Sequence, residues 1–242
     1  MTLRGEDFAK ALAPTGKLRL GVYPGSPFSL MRDPTTGETK GVAVEVGREL
    51  AKRLGVPLDL VEYRRIAEVL AAIKAGQVDA TIANASPGRL NDYDWTPPVL
   101  LIELGYLVMP GSPITTIADV DCPGIRIGVT GGGTTNGVLA RQFKHAVVVP
   151  AETLKAAIEM LSQRRIDAYT TNKANLHAMS DELPGSRVLD GRWGLEHLAM
   201  AFPKGRGASL DYARAFVADV IASGLVKRAS ERAGLRGAVD AE

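Results

Sequence analysis

Apolar positions in the N-terminal part of the chain form two kinds of run. Short runs of period two that break at Pro or Gly predict buried strands, and runs with helical periodicity that stop at Gly predict helices. In chain order they predict a strand at 17–25, a helix at 41–55, a strand at 58–63, a helix at 67–76 and a strand at 78–84. This order is typical of a mostly parallel sheet covered by helices.

The same order of elements recurs further along the chain. The second set comprises a strand at 124–133, a helix from about Thr134, a strand at 146–150, a helix at 152–165 and the segment 166–172. Two local phrases recur with it. "GIRIGVTGGG" matches "KLRLGVYPGS" at its Arg-hydrophobic-Gly-Val core, and "IDAYTTN" matches "VDATIAN". Two matches in the same order favour a pair of similarly built α/β lobes.

Four loops follow the carboxyl ends of predicted strands, where an α/β sheet forms its ligand crevice. They begin at the Gly-Val-Tyr-Pro-Gly stretch (21–25), at Asn84, at the Gly-Gly-Gly loop and at Asn172. If the two lobes face each other, all four loops are expected to surround one cleft.

The composition disfavours several classes of function. The net charge is only +2, basic residues are dispersed among acidic ones and aromatic residues are few, so we expect no nucleic-acid binding. Cys122 is the only cysteine and the three histidines lack metal-ligand spacing, so we expect no disulfide, no metal site and no cofactor. No apolar run reaches the roughly 18 residues of a membrane span. The first twenty residues lack the apolar segment of a signal peptide, which leaves a cytosolic protein or one whose export signal has been removed.

The segment "VTGGGTTNG" (129–137) places three glycines and two threonines between a predicted strand and a predicted helix. Amide groups at a helix N-terminus and threonine hydroxyls are donors that suit an anion. A plain turn with Thr134 or Thr135 as the N-cap is an equally good interpretation. The segment is not a P-loop, because the Lys-Ser/Thr ending is missing.

Arg89 lies in a Pro-Gly turn close to the carboxyl end of the third predicted strand. A guanidinium there can hold a carboxylate through two parallel hydrogen bonds. The alternative is a surface arginine paired with Asp92 or Asp94. The small polar residues Asn84 and Ser86 at the same edge favour a binding role.

The run "AEVLAAIKAGQVDATIANASPGRLNDYDWTPP" (67–98) resembles the bacterial extracellular solute-binding proteins that serve polar amino-acid ABC importers. The resemblance rests on a helix that ends in Gly-x-Val-Asp, a strand, and a turn with Pro-x-Arg. It continues through "GVAVEVGRELAKRLGV", "IADVDCPGIRIGVTGGGTT", "AIEMLSQRRIDAYTTN" and "LAMAFPKG", and so covers nearly the whole chain from Lys17 to Gly234. No single segment is decisive, but their order and spacing are specific.

The resemblance implies an α/β, two-lobe fold of the type II periplasmic-binding-protein class, a Venus-flytrap with two hinge strands that closes on a small ligand. On this basis lobe 1 comprises residues 1–105 and 196–242, and lobe 2 comprises residues 106–195. The crossings are expected near 103–109 and 194–202, and the C-terminal helices are expected to pack on lobe 1.

The same resemblance implies roles for individual residues. Arg89 matches the arginine that binds the α-carboxylate of the ligand, and Asn84 and Ser86 match small polar positions beside it. Gly133 and Thr134 match the turn of the second lobe that donates to the same carboxylate. The remaining residues expected at the ligand are Tyr23 and Phe28 in the first loop and Asn172, which would contact the other end of the ligand.

Asn172 departs from the family pattern, since amino-acid-binding members usually have an Asp there that pairs with the α-ammonium group. Asn carries no negative charge, and a buried ammonium without a counter-charge is costly. The usual aromatic clamp also has no counterpart, although Tyr23, Tyr169 or Trp193 could replace it. A small carboxylate without a free amino group, or an atypical amino-acid-like ligand, therefore fits the sequence better than a common amino acid.

We therefore expect a non-catalytic, monomeric solute-binding protein in the periplasm, with its export signal removed. It would deliver this small-molecule carboxylate to an ABC permease in the inner membrane. One alternative is an enzyme on the same scaffold, similar to cyclohexadienyl dehydratases, with Glu103 or Glu196 as the general acid. Asn172 cannot titrate, which disfavours the enzyme. A sensor module that docks on a receptor is a further alternative.

Overall fold

The computed structural model describes residues 5–239, which form alternating helices and strands. The helices of this range are, in chain order, α1 (Gly5–Leu12), α2 (Val42–Leu54), α3 (Ile66–Lys74), α4 (Thr134–Gln142), α5 (Leu154–Ser162), α6 (Lys173–Glu182), α7 (Ala208–Ala222) and α8 (Leu225–Arg232). The strands are β1 (Leu18–Val22), β2 (Met31–Arg32), β3 (Thr39–Lys40), β4 (Leu58–Glu62), β5 (Thr81–Asn84), β6 (Tyr93–Val108), β7 (Arg126–Thr130), β8 (Val147–Ala151), β9 (Ala168–Asn172), β10 (Arg187–Val188), β11 (Gly194–Pro203) and β12 (Ala238–Val239). Within the described range, no helix is long and apolar enough to cross a membrane.

The described chain divides into two compact units. Unit 1 contains residues 5–101 and 197–235, and unit 2 contains residues 102–196 and 236–239. The chain passes from unit 1 to unit 2 within β6, returns within β11 and enters unit 2 again after Leu235.

Unit 1 contains the parallel strands β1 and β4, with Leu20 opposite Leu60. Leu20 also forms a parallel bridge to Ala80, just ahead of β5. β5 in turn pairs with the unit 1 part of β11 in antiparallel register, with Asn84 opposite Leu198. The loops that follow β1 and β5 therefore begin at the same edge of this unit.

Two helices pack against β1, and two glycines make this close approach possible. Gly47 of α2 lies against Leu20, and Gly21 of β1 lies against Val69 of α3. A Cβ at either glycine would meet the neighbouring side chain at 2.6 Å. The C-terminal helices complete the unit, since α8 packs on α2 and α7 packs on α8 and α1. These contacts place the C-terminal helices against α1 and α2.

Unit 2 contains a mixed sheet in the order β10-β6-β9-β7-β8. β6 is antiparallel to β10 and to β9, and Leu104 of β6 lies opposite Asn172 of β9. β7 is parallel to β8 and to β9, and Gly128 of β7 lies opposite Tyr169 of β9. Because β7 and β9 are adjacent and parallel, the loops that follow them begin at the same edge of the sheet.

The sheet of unit 2 is buried on both faces. One face packs on α5 and α6 through a core that includes Leu161, Tyr169 and Leu176. The opposite face has a second core around Tyr106 and Ile127. Burial on both faces is the reason why the middle of β7 is apolar without alternation, whereas the edge strand β8 keeps exposed positions such as Val147.

The arginine and aspartate positions that recur in the two halves of the sequence have the same structural role in each unit. In unit 1, the guanidinium of Arg19 donates to both carboxylate oxygens of Asp79, at 3.0 and 2.7 Å. In unit 2, the guanidinium of Arg126 donates to Asp167 in the same way, at 3.0 and 2.9 Å. Each carboxylate also accepts the backbone amide of its arginine. The repeated residues therefore join β1 to the segment just before β5 in unit 1, and β7 to the segment just before β9 in unit 2.

The predicted order of elements is confirmed in both units, with ends that differ by a few residues. The apolar periodicity did not indicate α1, α6 or the short strands. It also did not indicate that residues 236–239 belong to unit 2, where the Glu103 amide donates to the Gly237 carbonyl at 3.0 Å. The segment 236–239 is too short to give a recognisable pattern.

Candidate functional site

In unit 1, β5 ends at Asn84 and is followed by a 3-10 turn at Pro87–Arg89. The Arg89 amide donates to the Ser86 carbonyl at 2.8 Å, and the Trp95 indole N–H donates to the Arg89 carbonyl at 3.2 Å. The guanidinium itself lies 3.4 Å from the Asn84 carbonyl. These bonds hold the half-buried Arg89 side chain at the carboxyl end of β5.

The acidic residues that the sequence offered as alternative partners of Arg89 bind other cations. Asp92 pairs with Lys74 at 2.8 Å. Asp94 lies 3.5 Å from the ammonium group of Lys204. The two carboxylates that the alternative interpretation assigned to Arg89 are therefore each paired with a lysine.

Asn84 and Ser86 lie beside Arg89, as the sequence predicted, and both are half-buried. The Asn84 side-chain oxygen accepts the backbone amide of His197 at 3.2 Å, and the Ala85 amide donates to the His197 carbonyl at 3.0 Å. These bonds tie the end of β5 to β11. They fix the place of Asn84, while its contact with a ligand stays a prediction.

The loop after β1 places Tyr23 and Phe28 in different environments. Tyr23 is half-buried, and its amide donates to the Ser29 hydroxyl at 3.0 Å. Phe28 is only 1% exposed, and its carbonyl accepts the Ala43 amide at 2.9 Å. Phe28 is therefore part of the core against which the loop packs, whereas Tyr23 is partly accessible to solvent. Their roles at a ligand stay predictions.

In unit 2, three glycines at 131–133 connect β7 to α4. Gly133 is the N-cap residue of α4 and makes no side-chain cap bond, so the interpretation with Thr134 or Thr135 as the N-cap is wrong. A Cβ on Gly133 would lie 3.0 Å from the Thr130 carbonyl oxygen, which explains the glycine in this tight turn. Amides in the first turn of a helix such as α4 are suited to donate to an anion.

Asn172 is the last residue of β9 and the N-cap of α6, and it is 4% exposed. Its side-chain oxygen accepts the Asn175 amide at 3.1 Å. Its amide nitrogen donates to a carboxylate oxygen of Glu196 at 2.8 Å. Asn172 therefore both caps its own helix and binds an acidic residue from another strand.

Glu196 lies in β11 and is 9% exposed. The sequence pattern did not assign it to a ligand, although it is the only acidic residue of the predicted crossing "GLEHLAMAF". Its carboxylate places an acidic group 2.8 Å from the Asn172 amide. The sequence argument for a ligand without an ammonium group rested on the neutral side chain of Asn172 and did not take into account that Glu196 lies beside it.

Glu103, the other acid considered from the sequence, lies between two cations. Lys173 binds one of its carboxylate oxygens at 2.7 Å, and Arg192 binds the other at 3.2 Å. The hydrogen bond from Lys173 lowers the pKa of Glu103 below its ordinary value. A carboxyl group that is held ionised in this way is poorly suited to act as a general acid.

Two of the three aromatic residues offered as a replacement for the clamp, Tyr169 and Trp193, lie in the packing of unit 2. Tyr169 is fully buried, and its hydroxyl lies 2.8 Å from the Thr130 hydroxyl. The Trp193 indole donates to the Thr170 hydroxyl at 2.9 Å. Both side chains therefore fix the strands that carry the candidate site.

Comparisons with known proteins match this architecture. Residues 18–235 match the model of the bacterial extracellular solute-binding proteins, family 3. A glutamine-binding protein of Geobacillus stearothermophilus is 25% identical over 194 residues, which are 78% of this chain and 73% of that protein. The solved structure of a putative binding component of an ABC transporter from Wolinella succinogenes, complexed with lysine, is 25% identical with a TM-score of 0.79, and the match covers 90% of this chain and 95% of that one. An ancestral amino acid-binding protein, described as a precursor of cyclohexadienyl dehydratase, has a TM-score of 0.79 at 21% identity, over 91% of this chain and 96% of that one.

These matches confirm the α/β two-lobe fold of the periplasmic-binding-protein type, since both solved structures are described as binding proteins or binding components. They also confirm the resemblance to solute-binding proteins of amino-acid ABC transport, because the relatives carry names of binding proteins. The family match extends over both units of the chain. The chain belongs to the bacterial extracellular solute-binding proteins, family 3.

Proposed function

We propose that this protein binds an amino acid outside the cytoplasm and delivers it to an ABC permease in the inner membrane. Membership of the family supports transport of a small solute, and relatives are named for binding glutamine or were solved with lysine. The observation that carries the proposal is the position of Arg89, half-buried in a fixed turn at the carboxyl end of β5. A guanidinium at this place is suited to hold an α-carboxylate through two parallel hydrogen bonds.

In this proposal each unit contributes a set of donors to the carboxylate end of the ligand. Arg89, Asn84 and Ser86 act from unit 1, and the Gly133–Thr134 turn acts from unit 2. The position of this turn at the N-terminus of α4 supports the second assignment, because helix amides and the positive end of the helix dipole favour an anion. Contacts from two lobes also give a reason for closure, since a ligand that binds both holds the closed form.

The proposed ligand differs from the one that the sequence favoured. A carboxylate without an amino group was expected because Asn172 carries no charge. Glu196 places an acidic group beside Asn172, and this group supports an amino acid with a charged ammonium group as the ligand. The relatives named for glutamine binding or solved with lysine support the same class of ligand. We further propose that the protein acts as a monomer in the periplasm.

A thermal-shift screen tests the proposed function. A ligand at 100 times its Kd stabilises a folded protein by about 2.7 kcal/mol, or several degrees in Tm for a chain of this size. L-Glutamine, L-lysine, L-arginine and L-cysteine are the first compounds to compare, together with small organic acids. We expect at least one amino acid to raise the Tm of the wild type and to have little effect on Arg89→Ala. If only organic acids stabilise the protein, the amino-acid assignment fails while solute binding stands.

A second candidate function is an enzyme of the cyclohexadienyl-dehydratase kind, and Glu196 is the observation that favours it. A carboxyl group that is 9% exposed and lies beside a residue proposed to contact the ligand is the type of residue that such chemistry uses as a general acid. Incubation of the protein with prephenate or arogenate, followed by measurement of aromatic product, tests this candidate. Product formed by the wild type and lost in Glu196→Gln would favour the enzyme, and no product would exclude this reaction.

A further inference from the structure

We propose that residues 236–239 form a third connection between the two units, and that this short connection limits how far the units open and thereby strengthens ligand binding. The family resemblance implies two connections, and the structure has these within β6 and β11. The chain then passes from unit 1 to unit 2 once more, between Leu235 and Arg236. The inference rests on the proposed function, because closure on a ligand is the movement that the third connection would restrain.

The chain is held in unit 1 as far as Leu235. Gly234 has a positive φ of 64° just after α8, and its amide donates to the Glu231 carbonyl at 3.1 Å. The Leu235 amide donates to the Ser230 carbonyl at 2.9 Å. These two bonds are those of a Schellman motif, which closes the last turn of a helix. Because α8 packs on α2 and α7, the start of the connection is fixed in unit 1.

From Gly237 onward the chain is held in unit 2. β12 pairs with β6, and the Glu103 amide donates to the Gly237 carbonyl at 3.0 Å. A Cβ on Gly237 would lie 2.4 Å from Lys173 Cβ, so the glycine backbone packs directly on the first turn of α6. Arg236 also pairs with Asp181 of α6, but the two side chains are 46% and 64% exposed, so this ion pair adds little. The backbone contacts at Gly237 therefore provide most of the attachment.

The two attachments leave almost no free chain between them. The Leu235 amide is bonded in unit 1, and the Gly237 carbonyl is bonded in unit 2. A step of two residues spans at most about 7 Å when it is fully extended. The connection therefore cannot lengthen when the units move apart without breaking one of its attachments, and it acts as a tether.

Glu103 links this tether to the other two connections. It is the second residue of unit 2 in β6, and its backbone amide holds Gly237. One of its carboxylate oxygens binds Arg192, which lies shortly before the crossing in β11, at 3.2 Å. The other oxygen binds Lys173, which follows Asn172 in the chain, at 2.7 Å. The unit 2 ends of the three connections are thus joined beside a residue that is proposed to contact the ligand.

The tether acts mainly on the open form of the protein. Units joined by two strands alone sample more orientations when they are apart, and this conformational entropy favours the open form. A third, short connection removes part of that freedom, so the closed form gains population. The apparent affinity for a ligand is proportional to the fraction of the protein that is in the binding-competent form. A longer connection should therefore weaken binding although every residue proposed to contact the ligand is unchanged.

The first experiment lengthens the tether without removing either attachment. The variant carries a Gly-Ser-Gly-Ser insertion between Leu235 and Arg236. A control of equal length carries the same insertion between Thr36 and Gly37, at the exposed tip of the β2–β3 hairpin in unit 1, where insertions are well tolerated. Small-angle scattering without ligand should give a larger radius of gyration for the variant than for the control. Equal radii would overturn the inference, whatever the ligand is.

The second experiment measures ligand affinity by calorimetry. The probe is whichever of L-glutamine, L-lysine, L-arginine and L-cysteine raises the Tm of the wild type most. We expect the control to bind it as the wild type does and the variant with the longer tether to bind it about 5-fold or more weakly, which is the lower end of coupling between distant parts of a protein. The same affinity in variant and control would contradict the inference. If none of these amino acids binds the wild type, the proposed function fails, while the scattering comparison still tests the tether.

A substitution replaces the insertion in both experiments if the lengthened variant fails to fold, as judged by circular dichroism. Arg236→Ala/Gly237→Ala releases the attachment in unit 2 and should have the same effects on the radius of gyration and on affinity. Gly111→Ala is its control, because Gly111 also lies in unit 2 and has a positive φ of 75° but open space around it. Equal radii and affinities in these two variants would likewise overturn the inference.

Discussion

Arg19 and Arg126 make the same contacts with aspartate in the two units, but the two pairs are buried to different extents. The Arg19 side chain is 18% exposed and that of Asp79 is 0% exposed. The corresponding values are 41% for Arg126 and 27% for Asp167. Replacement of each arginine by methionine keeps most of the apolar stem and leaves the carboxylate without its cation. Solvent exposure should therefore account for most of the difference in cost, while the bond from Arg126 to the Arg164 carbonyl, at 2.7 Å, adds to the cost of replacing Arg126.

The magnitude follows from what happens to the carboxylate. Removal of one partner from a buried pair leaves an uncompensated charge and costs about 3–5 kcal/mol, which is the range expected for Arg19→Met. At Arg126 water can solvate Asp167 after the replacement, so Arg126→Met should cost about 1 kcal/mol. The difference between the two variants is then about 2 kcal/mol or more.

The two tryptophans allow each unit to be followed separately. Trp95 lies in unit 1 and Trp193 in unit 2. Arg19→Met is measured by urea unfolding in a Trp193→Phe background, where fluorescence reports unit 1. Arg126→Met is measured in a Trp95→Phe background, where fluorescence reports unit 2. The midpoint and slope of each curve, compared with the same background without the arginine change, give the change in the free energy of unfolding.

The outcome at neutral pH and its change in acid both test the reasoning. If Arg126→Met costs as much as Arg19→Met, burial does not control the strength of this pair. The pH dependence gives a further check, since Arg126 lowers the pKa of Asp167 below its ordinary value. A lowered pKa in the folded state stabilises the protein above the unfolded pKa of about 3.9, and this stabilisation is lost as pH falls through the folded pKa. The difference in the free energy of unfolding between the wild type and Arg126→Met should therefore disappear at acid pH.

Two further substitutions test the local structure of unit 2. Asn172→Asp places a second carboxyl group beside Glu196, so the two carboxyl groups should share a proton and one pKa should be raised in the folded state. The variant should therefore lose stability as pH rises through this raised pKa, and a pH series of thermal melts measures the loss. An unchanged pH profile would contradict the contact. Gly237→Ala combines a positive φ of 80° with a Cβ that would lie 2.4 Å from Lys173 Cβ. Gly234 also has a positive φ but open space around it, so Gly234→Ala should cost only the roughly 1 kcal/mol of left-handed strain, and Gly237→Ala should cost more. Equal costs in urea unfolding would show that residues 236–239 are not held at this place.

Local patterns were sufficient to predict the order of elements and the Arg89 turn. Alternating apolar runs with glycine stops predict β1, α2, β4, α3 and β5 because these elements bury one face or both. The Pro-Gly turn after Asn84 has a local signature as well, and the structure places Arg89 in it. Repetition of the Arg and Asp positions could also be read from the sequence, although the bidentate contact that explains it could not.

The features that the sequence did not predict depend on contacts between distant segments. Glu196 reaches Asn172 only because β11 and β9 are brought together by folding, and no local pattern around either residue indicates the other. The N-cap of α4 was misassigned because glycine and threonine both serve as caps, and the choice depends on the tight turn at Thr130. The attachment of residues 236–239 to Glu103 likewise has no counterpart in periodicity.

Calorimetric titration of the wild type and Arg89→Ala with the most stabilising amino acid of the thermal-shift screen tests the central claim most directly. Arg214→Ala on α7 serves as the control, because this arginine is 51% exposed and pairs only with a neighbouring exposed aspartate among the described salt bridges. We expect the wild type and Arg214→Ala to bind with the same affinity, and Arg89→Ala to bind about 30-fold or more weakly with an unchanged thermal unfolding profile in the absence of ligand. Binding by Arg89→Ala at the affinity of the wild type would contradict the account.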